Sequence, residues 1–189
     1  MTTAILGAAK AGGMLACPSE FDRLARLERV TEMPEEKFSH LDAAGRASMV
    51  DVSEKPVSRR VAEASCRVSL APDTVSRLHD LPKGDAVTVA RLAGIQAAKR
   101  TGEIIPLAHT LDPELIEVEI QPDENGVVVS SRVVVTARTG AEMEALVACA
   151  NAALALYDMV KAVDRAAVIS DLRLDRKSGG VRGDYRRTE

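Results

Sequence analysis

The segment TGAEMEALVACANAALALYDMVKAVD (Thr139–Asp164) constrains the fold more than any other part of the chain. It carries no proline, and no glycine after Gly140, so nothing in it breaks a helix. Its middle, Ala145 through Leu156, is apolar on every side except at Asn151. A helix with that pattern is covered on more than one side. One sheet face covers only one stripe, so the segment predicts a second cover, which we assign to a neighbouring subunit.

The remaining patterns supply the sheet. RVAEASCRVSL (Arg60–Leu70) alternates in part and reads as a strand. Pro72 or Asp73 opens a short helix, LPKGD (Leu81–Asp85) is a turn, and Asp85–Arg100 is a helix with a basic C-terminal end. TGEIIPLAHTLDP reads as a loop. Two β-rich runs flank Asp123-Glu124-Asn125-Gly126, in which Asn-Gly is a strong hairpin signal. AVISDLRL is a last strand, and DRKSGGVRGDYRRTE is a basic, Gly-rich tail. The order predicts an α+β chain: a ferredoxin-like two-layer sandwich, with an antiparallel sheet and helices on one face. Residues 1–37 form an N-terminal extension, partly disordered or a short helix, with Phe21, Leu24, Leu27 and Val30 on one face. Pro34, Glu35 and Glu36 read as a linker, and the main domain spans 38–189.

Several function classes fall away. Lys and Arg total 25 against 28 Asp and Glu, so no global charge draws the chain to nucleic acid. Without Trp, and with two Tyr and two Phe, it offers no base-stacking platform. Cys17, Cys66 and Cys149 lack metal or disulfide spacing and indicate a reducing compartment. The N-terminus has neither a basic leader nor an unbroken apolar run. We expect a cytoplasmic protein with no membrane span.

Asp158 and Lys161 stand out, as an opposite-charge pair at i and i+3 on the apolar helix. Spacing alone favours a local ion pair at a helix end. His109 suits proton transfer or phosphate contact, although a lone His is more often a hydrogen-bonded structural group. His40, His79 and His109 have no metal-ligand spacing, so no metal site is expected. Lys83 and Lys177 each stand beside glycine, which lets backbone N–H groups approach an anion, but neither segment is a P-loop. Thr139 and Gly140 look like the cap of the long helix. Glu144 and Asp158 share a face of that helix but sit roughly 21 Å apart along it. One compact centre cannot hold both from one straight helix.

MVDVSEK (Met49–Lys55), KGDAVTVARLAGIQAAKRT (Lys83–Thr101), IPLAHTL, TGAEMEAL, YDMVKAVD, VISDLRL and KSGG, in this order, resemble the cyclic pyranopterin monophosphate synthase family. These are the C-type accessory proteins of molybdenum cofactor biosynthesis. The resemblance runs from about Phe38 to Tyr185. It implies a ferredoxin-like fold and a hexamer, a trimer of dimers, with sites at subunit interfaces. It also implies a lyase that takes 3′,8-cyclo-7,8-dihydro-GTP to cyclic pyranopterin monophosphate and pyrophosphate, with no metal or organic cofactor. By resemblance Asp158, Lys161 and Lys83 are catalytic. Leu107, Ala108, His109, Met143 and Glu144 bind substrate, Arg60 lies near the phosphates, and Lys177 belongs to the KSGG tail. The usual Pro-Leu-Cys-His-Pro-Leu loop reads PLAHTL here, with Ala108 for Cys and Thr110 for Pro. A reduced loop rigidity is the expected consequence. We further expect a site lysine with a lowered pKa, and a site that takes Asp158 and Lys161 from one chain and His109 or Lys83 from its neighbour. A competing reading, an oligomeric binding module without turnover, rests on the AHT change alone.

Overall fold

A computed structural model describes residues 41, 42, 44–181 and 183–188. The amphipathic helix expected over residues 19–30, along with His40 and Cys17, lies outside them.

The sheet begins with β1 (Ser58–Ser69), in which Ala62, Ala64, Cys66 and Val68 are buried and the residues between them are half-buried. That alternation is the signature of a strand with one face on the core. After the short α1 (Pro72–Val75) come α2 (Ala86–Ala98) and α3 (Thr101–Ile104). The hairpin β2 (Leu115–Asp123) and β3 (Gly126–Ala137) follows, then α4 (Glu142–Val160), β4 (Val168–Ser178) and β5 (Tyr185–Arg186). The strand order is β2-β3-β1-β4-β5, antiparallel throughout. The first four strands form the split βαβ arrangement of a ferredoxin-like sandwich, as the sequence predicted. The hairpin closes within the expected Asp123–Gly126 segment: Glu124 and Asn125 form the turn, and Gly126 already pairs with Asp123. A Cβ on Gly126 would collide with the Val68 carbonyl, while Leu70 N donates to Asn125 O at 3.1 Å. The hairpin tip is thereby pinned to the end of β1.

The long helix α4 packs on β1, β3 and β4, with α2 beside it against β2. Ala145, Ala148, Cys149, Ala152, Ala153, Leu156 and Val160 are sealed from solvent. A buried Leu such as Leu156 contributes about 2 kcal/mol from removed apolar surface. Gly94 of α2 makes the helix crossing close: a Cβ there would stand 2.8 Å from Ala148 O and 3.1 Å from the Ala152 Cβ. The second cover expected from a neighbouring subunit is therefore largely α2 of the same chain. Apolarity of α4 does not by itself call for a partner. The helix is also long and apolar enough to cross a membrane, but its buried face fills the core.

Three local expectations change. The segment after Arg100 re-enters a helical turn, α3, where a loop was expected; Thr101 Oγ1 donates to Ala98 O at 3.0 Å. The tail folds back as β5 on Arg176 and Lys177 of β4. The N-cap of α4 is Ala141, with no side-chain cap, rather than Thr139 or Gly140. The carbonyls of Ala137 and Arg138 are taken by the Arg60 guanidinium, so the helix starts only beyond them.

Candidate active site

Sequence and topology bring three charged side chains to the C-terminal end of α4. Asp158 is in its last turn, and Lys161 is the C-cap, with its N–H on Tyr157 O at 2.9 Å. A cation suits that position because the last carbonyls carry partial negative charge. Lys83 arrives from the turn that precedes α2. Gly84 N donates to Leu81 O at 2.8 Å, and Gly84 has φ +106°, a conformation that favours glycine. Because α2 runs antiparallel to α4, this turn lies beside the α4 terminus.

Each oxygen of Asp158 meets one ammonium. Lys161 Nζ is 2.6 Å from Oδ1 and Lys83 Nζ is 3.1 Å from Oδ2. Lys83 also donates to the Asp158 backbone carbonyl at 2.8 Å, one of the acceptors the helix end leaves open. All three side chains are substantially exposed. Two ammoniums about one carboxylate leave a net positive, water-accessible patch that suits phosphate. The hydrogen bond from Lys161, and then that from Lys83, hold Asp158 below the usual carboxylate range. The same bond raises Lys161 above its ordinary value. For Lys161 the lowered pKa expected from a neighbouring cation is thus overturned: the near carboxylate outweighs the other ammonium. Lys161 rests as a firm ammonium. Lys83 and Lys161 also come from one chain, which removes the expected option of Lys83 reaching Asp158 from a neighbour.

The other candidates gather at the opposite end of the helix layer. Glu144, in the first turn of α4, is only 3% exposed. Burial, with a smaller push from Glu142, raises its carboxyl to about 7 against its own amide's hydrogen bond. Met143 beside it is exposed. Glu142 accepts from Lys177 Nζ at 3.0 Å. Arg60 is buried, and donates from Nε to Ala137 O and from Nη2 to Arg138 O, each at 3.0 Å. Its remaining edge faces Gly180, where a Cβ would collide with Nη1. Most of this guanidinium is therefore committed to the backbone. Leu107, Ala108 and His109 are half-buried in the loop after α3, which itself touches α4. Ala108 N donates to Ile105 O at 3.0 Å. Thr110 packs on Gly102, whose missing Cβ would stand 2.8 Å from Thr110 Oγ1.

The chain therefore unites Lys83, Asp158 and Lys161, and separates them from Glu144 by roughly 21 Å of helix. Sequence reasoning missed Glu142 as the partner of Lys177 and Gly180 as the lid on Arg60. Among the described residues no three His, Cys, Asp or Glu side chains converge as metal ligands would.

Comparison with known proteins now decides the family. The sequence profile described as MoaC family matches residues 49–180, a span holding every candidate residue above. The chain belongs to the MoaC family. A protein of Streptomyces griseus subsp. griseus is 51% identical over 154 residues, 80% of this chain and 87% of its own length. One from Parvibaculum lavamentivorans is 50% identical over 158 residues, 82% and 99% of the two lengths. One from Thermomicrobium roseum is 48% identical over 157 residues, 81% and 95%. Each bears the name cyclic pyranopterin monophosphate synthase. This MoaC family chain is an enzyme.

Proposed function

We propose that the chain converts 3′,8-cyclo-7,8-dihydro-GTP to cyclic pyranopterin monophosphate with release of pyrophosphate, a phosphorus–oxygen lyase step in molybdenum cofactor biosynthesis. The observation that carries this reading is Asp158 held between Lys83 and Lys161. Making a cyclic monophosphate from a triphosphate requires an oxygen of the substrate to bond to the α-phosphorus. The bond from that phosphorus to the departing pyrophosphate breaks. Negative charge grows on the leaving group, and two fixed ammoniums offset it. Lys161, kept charged by Asp158, can donate a hydrogen bond or a proton to it. Asp158 orients both lysines before the substrate arrives. The ring rearrangement also moves protons, and Glu144, raised to about 7, can give or take one near neutral pH. This reading assigns no metal or organic cofactor.

A single chain leaves Glu144 and His109 far from the lysines, and the substrate carries reacting groups at both its base and its phosphates. We therefore take the site to be shared: Lys83, Asp158 and Lys161 from one subunit, with Glu144, Met143, the Leu107–His109 loop and Lys177 from its neighbour. A hexamer built as a trimer of dimers supplies such interfaces. We place the enzyme in the cytoplasm, with residues 38–189 as the synthase domain and 1–37 as an extension. The test is incubation with the cyclised nucleotide. Stoichiometric pyrophosphate and cyclic pyranopterin monophosphate support the reading. Substrate bound but unchanged would support the binding module instead.

A further inference from the structure

Lys83 stands on a short loop whose two ends are tied together. His79 Nδ1, before it, lies 3.1 Å from Asp85 Oδ1, after it. The Asp85 carboxylate also caps α2: Oδ1 accepts from Thr88 N at 3.0 Å and Oδ2 from Thr88 Oγ1 at 2.8 Å. One carboxylate thus joins the residue that enters the loop to the first turn of the helix that leaves it. Beneath it, Ala86 N donates to Leu78 O at 2.8 Å, and Leu78 and Leu81 anchor the loop in the core. The Thr88 backbone N–H, then its hydroxyl, then His79 hold the Asp85 carboxyl down at about 2, so it stays an anion across the working pH range.

Lys83 needs this support. Its stem is long and flexible, and the next residue is Gly84 in a left-handed conformation that restrains the chain weakly. The ammonium nevertheless meets both Asp158 O and Oδ2.

We propose that Asp85 is a positioning residue for Lys83: its carboxylate clamps His79 to the first turn of α2 and so fixes the loop that presents the Lys83 ammonium to Asp158. The proposal rests on the reading of Lys83 as a site residue, and adds a residue that touches no substrate. A cap alone would stabilise α2 and leave Lys83 unaffected. The clamp makes a different demand, because it acts on both sides of the lysine.

Two readouts separate these roles in the full-length protein. One is turnover, split into kcat and KM, from pyrophosphate release. The other is the rate at which an acetylating ester modifies Lys83 relative to a distant surface lysine, Lys99, followed by peptide mass. Asp85→Ser keeps a helix cap but is too short to reach His79. In this variant we expect a thermal midpoint near wild type, Lys83 acetylation severalfold faster, and kcat lower on the order of tenfold. Asp85→Asn, which keeps both reach and cap, restores slow acetylation. Should Asp85→Ser fail to fold, His79→Ala carries the same two readouts. Unchanged Lys83 acetylation with kcat within about twofold in either folded variant overturns the proposal. Failure of the underlying reading looks different: Lys83→Ala would turn over normally, while Lys83 acetylation still responded to Asp85.

Discussion

Lys83 and Asp158, 75 residues apart in sequence, are joined at two points: Nζ lies 2.8 Å from the Asp158 carbonyl and 3.1 Å from Oδ2. The bond closes the open end of α4 onto the turn before α2. It also places Lys83 opposite Lys161 across one carboxylate. The arrangement is exposed, which fits a group of charges kept for a ligand better than one kept for stability.

Lys83→Ala and Lys161→Ala should therefore each lower turnover by on the order of a hundredfold or more, while the thermal midpoint barely moves. Pyrophosphate release measured beside a melt checks both. A large loss of midpoint in either variant would mean that the ion pairs hold the fold, and the activity loss would carry no catalytic meaning.

Glu144 gives a pH signature. Its carboxyl moves from 4.5 to about 7 on folding, because burial disfavours the anion. Between those values the folded state binds more protons than the unfolded chain, so this group's contribution to stability falls as pH rises through the window. The full cost, up to about 3 kcal/mol, stands above pH 7. Glu144→Gln removes it. The variant's midpoint should exceed that of wild type by a margin that grows from pH 4.5 to 7 and then levels off. A margin independent of pH contradicts the shifted carboxyl.

Arg60 should prove a fold residue first. Arg60→Ala strips charged donors from two carbonyls at the β3–α4 connection, a loss of about 2–4 kcal/mol. Gly180→Ala should cost about 1–2 kcal/mol, since its φ of +89° and the Arg60 guanidinium both oppose a Cβ. Denaturant melts test both. If Arg60→Ala keeps wild-type stability and only raises KM, the phosphate role expected from the family resemblance is the better account.

Elements with a strong period were legible in the sequence. The alternation of β1, the Asn-Gly hairpin and the all-round apolar α4 led to the correct sandwich. What covers α4 was not legible, because an Ala-rich helix face matches another helix as well as a partner subunit. The clue was Gly94, which marks a close approach of two backbones. The Asp158–Lys161 contact followed from i,i+3 spacing. The placement of Lys83 needed topology: β1 and β3 are antiparallel, so the helices that follow them are antiparallel too, and the start of α2 meets the end of α4. That step was available from the predicted fold. The raised pKa of Lys161 was not, since it depends on which of two opposite charges lies nearer. Arg60 turned toward backbone carbonyls that only the folded β3–α4 connection brings to it.

The claim that joins these observations is that the three charges at the end of α4 act as one unit from one chain, completed by the His109 loop and Glu144 of a neighbour. Subunit mixing tests it most directly, with exchange followed independently by mass. Inactive Lys161→Ala mixed with inactive His109→Ala should recover activity in about a quarter of the sites by random pairing, because half of the sites in each mixed pair are wild type. Inactive Lys161→Ala mixed with inactive Lys83→Ala should recover none. Recovery in the second mixture, or none in the first despite proven exchange, would contradict the shared site.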